Sequence, residues 1–386
     1  MSTPKTRVLT NLYLPPAEGY VLRTFGDYLP GGLEKSKPAW RAEKERRPLA
    51  EILPLIPAAE RPDILILTSP EYLPIPVDVA DFPGLKILLI TDWNVCLRFL
   101  PDLCPLFDFC FTDWPGYRLL RKAGIANVHH QPLFGHDPAA FLDQGKPRNL
   151  DVSFCGNLNA GLHGERNRLL ARLGAWGAAR PGRSIHLRQA FNQDYLDVLN
   201  RSRLVFNYSI RGEANMRLFE AMACGAVPLV EASNQETAIL FQEGRHYFRY
   251  EPGTLEATIE SLLADPARIA SVADAARTAV ARHTKGDQVR SLLDHAVREA
   301  GKGGILQGNT GVTLAPPPPG ARAASIPSLE SLKALIKLRV LGAAYTMPEA
   351  LAELQSRGES LPGLAAETLP AALISLIENH PGESFA

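Results

Sequence analysis

The chain lacks the features that sort a sequence quickly. Its 386 residues hold 41 Lys+Arg against 41 Asp+Glu, a formal net charge of zero. No basic excess points to nucleic acid or an anionic membrane as the main partner. Cysteine is scarce, with five residues. Cys96, Cys104, Cys110, Cys155 and Cys224 form no CxxC pair, and several sit in apolar runs. That pattern reads as buried reduced thiols rather than a disulfide framework or a zinc site. It implies a cytoplasmic protein. No apolar run reaches the length of a membrane span, and the opening MSTPKTRVLTNLYLPP has no signal-peptide core. What is present is an ordinary globular composition, 46% hydrophobic and 21% charged. The length suffices for two domains and a tail.

Short apolar runs of strand length alternate with helical patterns along most of the chain. Arg7 to Tyr13, Asp63 to Thr68, Lys86 to Thr91, Phe107 to Thr112 and Asn127 to Gln131 read as strands. Helical patterns lie near Ala50 to Ile56 and Gly116 to Ala123. A second set starts at Asp151 to Cys155 and continues through Ser184 to Leu187, Leu204 to Tyr208, Ala226 to Val230 and His246 to Tyr250. Alternation of this kind predicts an α/β protein with parallel sheets and crossover helices. Two Rossmann-like domains facing a cleft are expected, over residues 1–140 and 141–300. The cleft, at the carboxyl ends of the strands, is the default ligand site. A Pro/Gly-rich linker over 301–324 and a small helical appendage over 325–386 would follow. The appendage is a candidate protein-interaction module.

Arg211 to Glu231, RGEANMRLFEAMACGAVPLVE, is the most informative stretch. It reads as a helix running into a glycine turn and then a buried strand. Leu218, Phe219, Met222 and Ala223 form its apolar side. Asn215, Arg217 and Glu220 are polar residues at its mouth. A carboxylate and an arginine so placed can grip a sugar nucleotide, one on hydroxyls and the other on phosphate.

The segments ILLITDW (Ile87 to Trp93), PLFGHDPAAF (Pro132 to Phe141), DVSFCGNLNAGLHGERNRLLARL (Asp151 to Leu173) and NMRLFEAMACGAVPLVE (Asn215 to Glu231) carry a family resemblance. With weaker matches after them they span roughly residues 60 to 297. The chain resembles the group 1 glycosyltransferases of GT-B fold, and within them the spore-maturation-type (CgeB-like) branch. The resemblance implies a nucleotide-diphosphate sugar held by the second domain, an acceptor held by the first, and no required metal or other cofactor. Helix N-termini and basic side chains would neutralise the diphosphate. It also suggests transfer with retention.

Carried over by residue, the resemblance makes Gly156, Asn157, Arg166, Glu213, Asn215, Arg217 and Glu220 the donor-binding candidates. Each has a plainer reading. Gly156-Asn157 suits any strand-to-helix turn. Arg166 could be a solvated helix arginine. Glu220 and Arg217 could form a surface ion pair. One departure stands out: eight positions before Glu220, where many group 1 enzymes place a second glutamate, this chain has Gly212. Glu213 lies one residue away, about 100° around a helix. For the acceptor hydroxyl the candidates are Asp92, with Asn94 beside it, and His136; Asp113 holds a similar position. Asp92 could instead cap a turn, and His136 could be a linker residue. His129 and His130 read as structural. Two other function classes remain open: a nucleotide-sugar epimerase, and a degenerate protein of the same fold with a nucleotide-binding or protein-interaction role.

Overall fold

The computed structural model describes residues 6–26, 40–41, 48–70, 73, 75–158 and 164–302. The expected linker, apart from its first two residues, and the expected helical appendage lie outside them. The chain forms two compact units. The first comprises residues up to Thr112, Gly116–Gln131 and, among the described residues, Val289–Lys302; the second comprises Asp113–Pro115 and Pro132–Gln288.

In the first unit the elements run β1 (Thr6–Thr10), β2 (Tyr20–Gly26), β3 (Trp40–Arg41), α1 (Leu49–Ile52), β4 (Ile64–Thr68), β5 (Leu85–Leu89), α2 (Trp93–Cys96), α3 (Leu100–Leu103), β6 (Phe109–Thr112), α4 (Trp114–Lys122) and β7 (Val128–His130). The sheet is parallel, ordered β3-β2-β1-β4-β5-β6-β7. Its order reverses between β1 and β4, a topological switch point. The expected strands at β1, β4, β5, β6 and β7 form. β2 and β3 were not expected.

Strand alternation sorts the core into two layers. Leu65, Leu67, Leu88, Ile90 and Cys110 face Leu49, Ile52 and Leu120. Ile64, Ile66, Ile87, Leu89, Phe109 and Phe111 face the other way. Both faces are covered, which is why these strands read as unbroken apolar runs.

In the second unit the elements are β8 (Leu150–Cys155), α5 (Gly164–Ala178), β9 (Ile185–Arg188), α6 (Asn192–Arg201), β10 (Ser202–Phe206), α7 (Met216–Ala223), β11 (Val227–Glu231), α8 (Gln235–Leu240), β12 (Phe248–Tyr250), α9 (Leu255–Leu263) and α10 (Pro266–Val280). This sheet is also parallel, ordered β12-β11-β10-β8-β9. Its switch point lies between β8 and β10. Val152, Phe154, Leu204, Phe206, Val227 and Leu229 pack against Leu169, Leu173 and Trp176 of α5 and Leu255 and Ile259 of α9. On the other face Val205 and Ala226 pack with Leu199, Ala221 and Cys224.

The last described helix, α11 (Lys285–Lys302), starts in the second unit. From Val289 onward its apolar stripe, Leu292, Leu293, Ala296 and Ala300, covers one face of the first sheet. The division between units thus falls at 288/289 and 131/132, where borders at 300 and 140/141 were expected. Phe134, before the expected border, packs with Phe141 against the second unit's core. All five cysteines are free and buried. No helix among the described residues is long and apolar enough to cross a membrane.

Candidate functional site

The informative stretch folds as its sequence dictates. Asn215 caps α7, its side chain accepting from the Leu218 N–H at 3.3 Å. Leu218, Phe219 and Met222 turn into the core. Gly225 ends the helix with φ +74°, a conformation that favours glycine. β11 follows, buried along its whole length.

This places Arg217 at the carboxyl end of β8. Its Nε donates to the Cys155 carbonyl at 2.9 Å and its Nη1 to Asn207 Oδ1 at 3.1 Å. Cys155 ends β8 and Asn207 follows β10, so one guanidinium bridges the switch point. Its carbon sits 4.3 Å from the centre of the Phe154 ring. Arg166, on α5, lies 5.1 Å from the centre of the same ring. Arg166 is only 5% exposed. It donates through Nη2 to the Asn157 carbonyl, while its buried Nε has no hydrogen-bond partner among the described residues. Burial, and then the charge of Arg217, hold its pKa down to about 10. Burial likewise lowers that of Arg217.

Gly156 belongs to this group for a steric reason. A Cβ there would come within 2.6 Å of Arg217 Nη2 and 2.9 Å of Phe154 Cζ. A side chain there would force Arg217 or the Phe154 ring to shift. Two cations against one ring raise each other's free energy, and a polyanion bound beside them would relieve it.

Glu220 lies one turn along α7 from Arg217. It is 5% exposed and accepts at Oε2 from the Tyr195 hydroxyl at 2.7 Å. Burial raises its pKa, against the pull of that hydrogen bond, Lys285 and Arg217. The plain alternative of a surface ion pair does not describe it, because the carboxylate is buried and Arg217 reaches for Cys155 and Asn207.

Of the other candidates, Glu213 lies close to this set, its charge felt by Arg166 and Glu231. Glu213 is buried, and its Oε2 accepts from the Arg211 N–H at 2.9 Å. Burial raises its pKa too. Gly212 before it has φ +84°, so this segment is a turn and not part of a helix. His136 is buried, with Nδ1 3.1 Å from the His283 carbonyl. Burial lowers its pKa. Asp92, in the first unit, is half-buried at the start of α2 without making the capping hydrogen bond. Asn94 is buried nearby on α2, and Asp113 lies 3.7 Å from the Arg211 guanidinium. His129 stacks between Phe109, Phe111 and His295, a packing role.

Three site residues escaped the sequence reading: Tyr195, Asn207 and Glu231. Asn207 is fully buried and its Nδ2 has no partner among the described residues. Glu231 ends β11 at 3% exposure. Its Oε1 accepts from the Ser209 N–H at 2.9 Å, the Ser209 hydroxyl, and Asn234 Nδ2 at 3.2 Å. Its Oε2 is buried without a partner among the described residues. Burial pushes its pKa up to about 7. The signal available was a carboxylate ending a fully apolar strand, VPLVE.

Residues 147–294 match a family model described as glycosyl transferase-like. No curated protein matches the chain. Among solved structures, the chain is similar to HepE of Anabaena in complex with UDP, with a TM-score of 0.54 and 12% identity over 76% of this chain and 100% of HepE. It is similar to a glycosyltransferase of Rickettsia africae, with a TM-score of 0.50 and 12% identity over 76% of this chain and 98% of that one. It also matches TarM, at a TM-score of 0.47 and 10% identity over 60% of this chain, but spans only 54% of TarM. At these identities the likeness is one of fold: two parallel α/β units in the GT-B arrangement of elements.

Proposed function

We propose that the chain transfers a sugar from a nucleoside diphosphate sugar to an acceptor hydroxyl. One observation carries this reading: Arg166 and Arg217 converge on the Phe154 ring, with Gly156 beside Arg217, at the β8/β10 switch point. The glycosyl transferase-like match over residues 147–294 supports it. In the reaction the bond from the anomeric carbon to the phosphate oxygen breaks, and its electron pair leaves with the nucleoside diphosphate. The transition state has oxocarbenium character. Arg217 and Arg166 stabilise the charge growing on the leaving phosphate, in the role a metal ion plays elsewhere. Glu220 accepts from the ribose hydroxyls, and Asn157 completes the turn beside the phosphates. Asn215 acts by fixing the start of α7, and Glu213 by bracing the turn before it. Retention of configuration is the stereochemical outcome we favour. Asp92 and His136 are the groups to test for the acceptor proton; burial keeps His136 neutral, the form that can accept one.

The experiment is a thermal-shift screen against UDP, GDP, ADP, CMP and dTDP, followed by turnover with the matching sugar nucleotides. HepE is seen with UDP and with UDP-glucose, so UDP comes first. A ligand that binds only the folded state raises the melting temperature. One diphosphate is expected to do so, and sugar transfer to follow. No shift with any nucleotide on a folded sample overturns the reading. Binding without turnover favours a nucleotide-binding role instead, and an isomerised donor as product favours an epimerase.

A further inference from the structure

Tyr195 sits on α6, and its phenol is the one hydrogen-bond donor to the Glu220 carboxylate among the described residues, at 2.7 Å. The Phe141 ring packs edge-to-face with it, centroids 5.9 Å apart. The ring is therefore held by packing, while its polar tip is spent on one carboxylate oxygen. We propose that Tyr195 is a positioning residue of the nucleoside site: it pins Oε2 of Glu220 and so commits Oε1 to the ribose hydroxyls. The proposal rests on the donor reading above.

The charged groups around Glu220 make the hydrogen bond consequential. Lys285 and Arg217 favour the ionised carboxylate, and burial opposes it. The Cys155 and Cys224 thiols are pushed up to about 11 and about 12, so they stay neutral near pH 7. Burial and Glu220 push the Tyr195 phenol well above its ordinary value. It stays protonated and always donates. Removing the hydroxyl takes away a bond that favours ionised Glu220, so Glu220 would hold its proton to higher pH.

The test is Tyr195→Phe in the full chain, with binding of UDP and of inorganic pyrophosphate measured from pH 5 to 9. The ring and its packing survive this change. UDP affinity at pH 7 is expected to fall about fivefold to tenfold, the size of one hydrogen bond. The acid limb of UDP binding should move to higher pH. Pyrophosphate, which has no ribose, should bind as before. In a Glu220→Ala background, where no acceptor is left to pin, the same change should cost nothing further. Wild-type UDP affinity and pH profile in Tyr195→Phe would overturn the proposal, as would equal losses for UDP and pyrophosphate. If the wild-type chain binds no UDP or other nucleotide, the donor reading fails, and this proposal with it.

Discussion

Between β1 and β4 of the first sheet, Asn11 and Thr68 bond reciprocally. The Thr68 N–H donates to Asn11 Oδ1 at 2.9 Å, and Asn11 Nδ2 donates to the Thr68 carbonyl at 3.3 Å. Ser69 and Thr91 continue the contact through their hydroxyls, 3.0 Å apart. Between β8 and β10 of the second sheet stand Arg217, Arg166, Asn207 and, at the end of the neighbouring β11, Glu231. Here Arg166 Nε, Asn207 Nδ2 and Glu231 Oε2 are buried without hydrogen-bond partners among the described residues. Sheets of the same parallel construction thus finish their switch points with opposite chemistry.

The difference separates stability from binding. A side-chain amide that satisfies a strand's last N–H and carbonyl does what a neighbouring strand would do. It holds the fold and asks for no ligand. A buried guanidinium nitrogen or carboxylate oxygen without a partner costs free energy in the empty protein. Such groups are justified when a ligand supplies the missing partner. The first switch point should therefore respond to mutation through stability, and the second through nucleotide affinity.

The largest expected effect is at Arg217. Arg217→Ala should weaken UDP binding by about 1–3 kcal/mol, the range for hydrogen bonds to charged groups. Isothermal titration reads this as a roughly tenfold to hundredfold rise in Kd. Melting temperature should change little, because the lost bonds to Cys155 and Asn207 are offset by removing a cation from beside Arg166. A large drop in stability with unchanged affinity would place the second switch point with the first, as structural.

How much of this was legible in the sequence varies with the residue. Ile64–Thr68 and Leu85–Leu89 were readable because both faces are covered and the run is apolar throughout. Tyr20–Gly26 was not, since Phe25 alone is buried in it and its side chains carry no clear period. Trp40–Arg41 is too short to signal anything. Asn215 and Gly225 were legible because helix caps are local chemistry. Arg217 and Glu220 stood out as candidates by the motif that carries the family resemblance, and the fold places both on α7. Tyr195 and Glu231 were hidden because their roles arise from pairings 25 and 22 residues away in the chain, with Glu220 and Ser209. No local pattern records a contact across that distance.

Glu231 gives the next largest effect. Burial raises its pKa from an ordinary 4.5 to about 7, so the folded state prefers the protonated form. Its contribution to stability is fully present below about pH 4.5 and is lost as pH rises through about 7. Glu231→Gln keeps an oxygen for Ser209 and Asn234 but carries no charge. It should be about 1–2 kcal/mol more stable than wild type at pH 8, less than the full shift implies because charge-assisted bonds are lost too. At pH 4.5 the two should unfold alike in urea. Equal midpoints at both pH values would show that Glu231 is no burden on the empty protein, and the contrast between the two switch points would lose one of its supports.

Asn11 gives the smallest effect and the cleanest contrast. Asn11→Ala removes both bonds to Thr68, a residue only 3% exposed. The Thr68 N–H and carbonyl then lack their side-chain partner, at a cost of about 1 kcal/mol after water and small shifts compensate. The urea midpoint should fall without a change in slope. UDP affinity should stay at the wild-type value, because the charged set belongs wholly to the second unit. The sign is opposite to Glu231→Gln at pH 8. One switch point loses stability when its polar residue is removed and the other gains it, which is the behaviour expected of a closed strand end and an open ligand site. If Asn11→Ala weakens UDP binding as much as Arg217→Ala does, the neutral hydroxyls and amide of the first sheet belong to the nucleotide site as well, and the division of labour drawn from their chemistry is wrong.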